Sequence, residues 1–312
     1  MRFAVIGAGG VGGYFGGKLA QNGADVTFIV RGRSLEALQT NGLRVDSIGG
    51  DFVLSKVNAT DDPKSVGDVD VVLLAVKTAQ VAEAIEAARP MVGEHTVVIP
   101  LENGMDAPEQ IARELGRGHA MGGLCAIVSF LVAPGHVRHA GSDPFIMFGE
   151  LDNSKSERAL RIRDAMIAAG IVAEIPSDIH RAMWTKFLFI SPMSGIGALT
   201  RVPVGAWRNI PETRELARRA IAEIAALASA RGIQLTPDAV EQTLGRYDGL
   251  PADATSSLQR DIMQGKPSEL DAQIGAVVRM GRESKVPVPV HEMMYALLAP
   301  AHSEFIRRED AG

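Results

Sequence analysis

Arg2-Phe-Ala-Val-Ile6 followed at once by Gly7-Ala-Gly9-Gly10-Val11-Gly12-Gly13-Tyr-Phe-Gly-Gly17 is the stretch whose reading decides the fold. Five mostly apolar residues of strand type run into a G-x-G-x-x-G spacing on Gly7, Gly9 and Gly12. In a dinucleotide-binding turn each glycine has its own task. The first allows the tight turn, the second lets backbone approach a pyrophosphate, and the third lets the next helix lie close to the sheet. That helix, expected over about residues 12–22, would direct free N–H groups, those of Gly10 and Val11 included, and its positive end at phosphates. A second strand, Asp25-Val-Thr-Phe-Ile-Val30, follows it. Strand, glycine turn, helix and strand in this order make the turn a nucleotide site; a glycine turn that binds nothing is the bland alternative.

Outward from that stretch, strand and helix alternate. Asp70-Val-Val-Leu-Leu-Ala-Val76 is continuous β-branched and aliphatic sequence, the mark of a central parallel strand covered on both faces. Thr96-Val-Val-Ile99 is the next strand, and helices are expected near residues 35–40, 79–88 and 108–115. Residues 42–45 and 52–54, around Gly49-Gly50-Asp51, read as a hairpin. The β-rich segment 122–148 reads as an extension of the sheet. From about residue 177 only helices are expected: one ending near Ile190, then others over 212–231, 237–247, 269–284 and 291–299. The fold class is therefore α/β, a Rossmann-type doubly wound sheet over residues 1–175 followed by an all-helical domain over 176–312. The cleft between two such domains is the default place for a substrate.

The bulk composition of the 312 residues is that of an ordinary globular protein, 46% hydrophobic and 22% charged. A net charge of −5 gives no reason to expect nucleic acid or a membrane surface as partner. One cysteine, Cys125, excludes an internal disulfide and fits a reducing compartment. No secretion signal is read at the N-terminus, the uncharged stretch between His119 and His136 is too short for a membrane span, and the expected location is the cytoplasm.

The end of the second strand selects the nicotinamide cofactor. An Asp or Glu about 20 residues past the glycines accepts the ribose hydroxyls of NAD. Here Arg31 stands there, with Arg33 beside it and no carboxylate until Glu36. A guanidinium would pair with a 2′-phosphate, so NADP(H) is expected over NAD(H); an arbitrary surface arginine is the alternative. In the helical half, Lys186 is the only charge in Ala182-Met-Trp-Thr-Lys-Phe-Leu-Phe-Ile190. A lysine in that company either snorkels to water or is partly buried as a proton donor. Glu269, in Ser268-Glu-Leu-Asp271, has a modest reading as a first-turn charge in a capping box. His291-Glu292 lacks the second histidine of a zinc motif, with Tyr295 in its place, and no metal site is expected.

Taken in order, these residues resemble the ketopantoate reductase (2-dehydropantoate 2-reductase) family over essentially the whole chain. The resemblance rests on the glycine turn and Arg31, on Ala75-Val-Lys77-Thr-Ala-Gln80, Glu102-Asn103-Gly104-Met105 and Gly135-His-Val-Arg-His139-Ala-Gly141. It continues in Trp184-Thr-Lys186, Ser257-Leu-Gln and Ser268-Glu269-Leu-Asp. It implies hydride transfer from NADPH to the ketone carbon of a 2-oxo acid, with Lys186 as general acid. Lys77 and Asn103 would line the cofactor and substrate side, Ser257 would hold the substrate carboxylate, and Glu269 would bond the substrate hydroxyl and orient the lysine. The family places asparagines four and eight residues past the lysine; here they are Ile190 and Ser194. Ser194 remains a candidate substrate contact, whereas Ile190 removes one, which opens a more apolar 2-oxo acid as substrate. A 3-hydroxyacid dehydrogenase is opposed by Arg31 and Glu269. A non-catalytic NADP(H) sensor is favoured by Ile190 and opposed by Lys186 and Glu269. The partners expected are a small 2-oxo acid and a second copy of the chain.

Overall fold

The computed structural model describes residues 1–309. Two compact units form: one is Met1–Glu102 with Asp106–His180, the other Asn103–Met105 with the chain from Arg181 onward.

In the first unit, β1 (Arg2–Ile6) leads into α1 (Gly10–Gln21), and β2 (Asp25–Ile29) into α2 (Gly32–Asn41). The antiparallel hairpin β3 (Leu43–Ser47) and β4 (Phe52–Leu54) forms as expected, and β5 (Asn58–Thr60) follows. Then come β6 (Val69–Leu74), α3 (Val81–Ala88), β7 (Val92–Pro100) and α4 (Ala107–Leu115). Five strands make a parallel sheet in the order β5-β2-β1-β6-β7. Alternation along each strand fills both faces. Phe3, Val5, Val71, Leu73, Val97 and Ile99 join one core with Phe15 and Leu19 of α1. Ala4, Ile6, Val72, Leu74 and Val98 join another with Ile85 of α3 and Ile111 of α4. A sheet whose strands are buried on both sides must be covered by helices on both sides, and the continuous apolar run at 70–76 records that requirement.

The segment expected to extend this sheet builds a second one instead. A long antiparallel pair, β8 (Met121–Ala133) and β9 (His136–Glu150), joins β3, β4 and β10 (Val172–Glu174), in the order β10-β9-β3-β4 with β8 on β9. The cause is β3: Val45 lies opposite Val137 in parallel register, and Val45, Val137, Ile146 and Phe148 drive into the α1-side core. The helix between β9 and β10 is α5 (Glu157–Ala168), capped by Ser156 Oγ accepting from Ala159 N at 3.1 Å.

The second unit is helical: α6 (Ile179–Thr200), α7 (Val204–Trp207), α8 (Pro211–Ala230), α9 (Ala239–Asp248), α10 (Ser257–Met263), a π-helical turn at Asp271–Gly275 continuing into α11 (Ala276–Ser284), and α12 (Pro289–Glu309). Its core gathers Trp184, Phe187, Leu188, Ile196, Trp207, Ile221, Tyr247, Leu258, Ile274 and Met294. Two expectations are corrected here. The helix expected to stop near Ile190 runs on through Pro192 to Thr200. A proline interrupts the helical ladder at the preceding turn, and the Tyr247 hydroxyl donates to the Phe189 carbonyl there at 2.7 Å. α10 was not anticipated; its cap is Ser256, whose Oγ accepts from Gln259 N at 3.0 Å. Among the described residues no helix is long and apolar enough to cross a membrane.

Candidate active site

The glycine turn has the geometry its spacing implied. Gly7 sits at φ +93°, a region that L side chains rarely adopt. Its N–H bonds Ile29 O at 3.1 Å, while Ala75 N bonds Ile6 O at 2.9 Å, so the turn is tied to β2 and to the end of β6. A Cβ on Gly12 would fall on the Gly7 carbonyl oxygen and 2.9 Å from the Ala75 methyl, so only glycine lets α1 come this near. Gly9 is the contrast: a Cβ there would meet nothing within 4 Å. The third role of the spacing is therefore packing, and the second leaves an open approach to the backbone. α1 has no side-chain cap and no acidic residue in its first turn. The N–H groups of Gly10, Val11 and Gly12 precede the first intrahelical bond, from Gly13 N to Gly9 O at 2.8 Å. Open space beside Gly9, uncapped donors and the helix dipole suit a pyrophosphate.

Arg31 caps β2 at the N-terminus of α2 and is exposed. Its guanidinium meets the Glu83 carboxylate, Nη1 to Oε1 at 2.6 Å and Nη2 to Oε2 at 3.0 Å. Hydrogen bonding and the nearby charge of Arg31 hold Glu83 below the usual carboxylate range. Lys77, exposed, follows β6 just past Ala75, on the same side of the sheet as the glycine turn.

Asn103 belongs to the helical unit and donates from Nδ2 to Glu269 Oε2 at 3.3 Å. The structure thus brings together two candidate site residues that stand 166 positions apart in sequence. Ser268 does not form the expected capping box with this segment; its hydroxyl pairs with His302 Nδ1 at 3.2 Å. The first helical bond here runs from Gln273 N to the Glu269 carbonyl at 3.0 Å, and the turn that follows is π-type. π turns are rare and recur at functional sites. This one is pinned by Tyr295, whose hydroxyl donates to Asp271 Oδ1 at 2.6 Å.

Gln273 is a residue that sequence reasoning missed. It is 0% exposed, donates from Nε2 to Glu269 Oε2 at 3.3 Å, and its Oε1 has no partner among the described residues. Its position four residues past Glu269 was the available signal, because helical neighbours at that spacing face one another.

Lys186 lies in the first half of α6, half-buried, and makes no hydrogen bond or ion pair among the described residues. Ile190, one turn on, is half-buried against the helical core. Ser194, a further turn on, is 0% exposed with its hydroxyl unpartnered, so it has no accessible surface in this arrangement. Ser257 begins α10, half-buried. Among the described residues no group of three or more His, Cys, Asp or Glu is placed to hold a metal ion.

A parallel sheet in this order, opened by a glycine turn and followed by a helical body carrying a lysine and a carboxylate–amide pair, defines a nicotinamide-dependent oxidoreductase. The family models described as ketopantoate reductase PanE/ApbA and its C-terminal region match residues 3–153 and 178–302. A Bacillus subtilis (strain 168) relative named uncharacterized oxidoreductase YkpB is 32% identical over 97% of this chain and 100% of its own length. The 2-dehydropantoate 2-reductase of Mesorhizobium japonicum is 30% identical over 96% of this chain and 97% of its own. The crystal structure of 2-dehydropantoate 2-reductase from Geobacter metallireducens GS-15 superposes with a TM-score of 0.90 at 32% identity, covering 96% of this chain and 100% of that one. The chain belongs to the ketopantoate reductase family and is an NADP-dependent oxidoreductase. Its reaction class is NADPH-dependent reduction of a 2-oxo acid.

Proposed function

We propose that the protein reduces 2-dehydropantoate to pantoate, with Lys186 as the general acid. Bound NADPH supplies a hydride to the ketone carbon. Lys186 gives a proton from its ammonium to the ketone oxygen as charge develops there, so carbonyl becomes hydroxyl and the lysine is left as neutral amine. The positive charge also lowers the energy of that oxygen in the transition state. Glu269 accepts from the product hydroxyl, and Asn103 and Gln273 hold its carboxylate in one orientation. Ser257 binds the substrate carboxylate, the first turn of α1 holds the cofactor pyrophosphate, and Arg31 holds the 2′-phosphate.

The observation that carries this reading is a half-buried lysine that pairs with no group among the described residues, in the same helical unit as a carboxylate held by two amides. An acid that must act on a substrate oxygen is best left uncommitted to the protein. The names of the relatives support the substrate.

A second reading follows from Ile190, half-buried in the apolar core where the family pattern has an asparagine. An isoleucine offers no hydrogen bond, and a lost polar contact is worth about 1–3 kcal/mol. The substrate is then a more apolar 2-oxo acid handled by the same chemistry. Following NADPH absorbance with a panel of 2-oxo acids separates the two by the ranking of kcat/KM. Tight NADPH binding with no turnover on any member would overturn both in favour of a sensor.

A further inference from the structure

Arg31 is the residue to which the proposed function assigns the 2′-phosphate, yet its fork is engaged. Both Glu83 oxygens are taken up by two of its nitrogens, at 2.6 and 3.0 Å. This side-by-side pairing of a guanidinium with a two-oxygen anion is the arrangement a phosphate would use. Glu83 comes from the first turn of α3, 52 residues further along the chain. At this corner of a dinucleotide-binding sheet a carboxylate ordinarily extends from β2 and marks a preference for the unphosphorylated cofactor. Here β2 ends in arginine, and the carboxylate arrives from another element.

We infer that Glu83 is a specificity-determining residue for the cofactor: it competes with the 2′-phosphate for Arg31 and limits how far NADPH is preferred over NADH. The inference rests on the reading of Arg31 as phosphate ligand. Side chains of the pair are 69% and 58% exposed, so exchanging the carboxylate for a phosphate strips no buried charge of its partner. NADPH must displace Glu83 and then sits beside its negative charge. NADH carries no group that needs Arg31 and leaves the pair intact. An exposed ion pair of this type leaves its arginine free roughly a sixth to two-fifths of the time. Apparent affinity for a ligand that needs the free form falls by the same fraction, on the order of two- to sixfold.

The test titrates NADPH and NADH, by nicotinamide fluorescence, into full-length wild type, Glu83→Gln, Arg31→Ala and the double variant. Glu83→Gln should tighten NADPH about two- to sixfold and leave NADH unchanged. Arg31→Ala should weaken NADPH far more than NADH, and in that background Glu83→Gln should have no further effect. Unchanged or weaker NADPH binding in Glu83→Gln, with Arg31→Ala behaving as described, overturns the role of Glu83 alone. NADPH binding that survives Arg31→Ala overturns the reading of Arg31 on which it stands.

Discussion

Replacing Gln273 by leucine separates a positioning role from a packing role. The side chain is 0% exposed, so its amide sits in a dry interior. Its Nε2 bond to Glu269 is long, at 3.3 Å, which places it at the low end for a charged acceptor, about 1.5 kcal/mol. Its Oε1 has no partner, and an orphaned buried acceptor costs about 1–3 kcal/mol. Leucine of similar volume removes both contributions, so folding stability should change by between about −0.5 and +1.5 kcal/mol. In a chain of this size that is a melting shift of only a few degrees, upward more often than downward. Catalysis should respond in the opposite sense. The Glu269 carboxylate loses one of the two amides that orient it, and a loss of about 1.4 kcal/mol in the transition state is roughly tenfold in rate. Steady-state NADPH oxidation should therefore show kcat down about tenfold with KM within roughly twofold. A kcat equal to wild type would refute the argument. So would a melting temperature that falls together with activity, because that pattern belongs to a packing defect.

Gly10→Ala would set a Cβ 2.7 Å from Ser129 Oγ and 2.8 Å from its carbonyl oxygen, so the turn must shift; NADPH affinity should fall at least about tenfold and stability by about 1–3 kcal/mol, and an unchanged titration would remove this turn from the cofactor site. Burial pushes His291 below the ordinary imidazole value, against a bond that its Nδ1 donates to Glu223 Oε2 at 2.7 Å. Because the folded value is the lower one, the unfolded chain takes up the extra proton. The stabilisation is full above the unfolded value of about 6.5 and is lost as pH falls below it. Melting temperature should drop between pH 7 and pH 5, and less steeply in His291→Gln; equal slopes would contradict this. Ile190→Asn should raise kcat/KM for 2-dehydropantoate relative to an apolar 2-oxo acid by about tenfold, from a contact worth 1–3 kcal/mol; a constant ratio would show that position 190 does not face the substrate.

What could be read from sequence was what is local. The strand–turn–helix at the N-terminus carries its own instructions, because glycine at +93° and helix-to-sheet contact at Gly12 are properties of adjacent residues. The apolar run at 70–76 announced a covered parallel strand for the same reason. The second sheet was not legible, since β9 pairs with a strand far upstream; Ser47 Oγ and His139 Nδ1, 92 residues apart, meet at 2.8 Å. The helix expected to end near Ile190 runs on through Pro192, because interior packing and the Tyr247 hydroxyl carry α6 past it. Asn103 and Glu269 carry separate signals in the sequence, and their contact is set by the fold alone. The carboxylate absent from the end of β2 was supplied by Glu83, which nothing near Arg31 in sequence foretold. Gln273, by contrast, was within reach of helix periodicity.

The role proposed for Lys186 on α6 is to protonate a 2-oxo acid while NADPH is held elsewhere in the chain. Its most direct test compares wild type and Lys186→Ala for NADPH binding by fluorescence and for NADPH consumption with 2-dehydropantoate. NADPH affinity should be nearly equal in the two proteins, and turnover should fall at least about a hundredfold, the usual worth of a positioned general acid. Turnover that survives the substitution would contradict it.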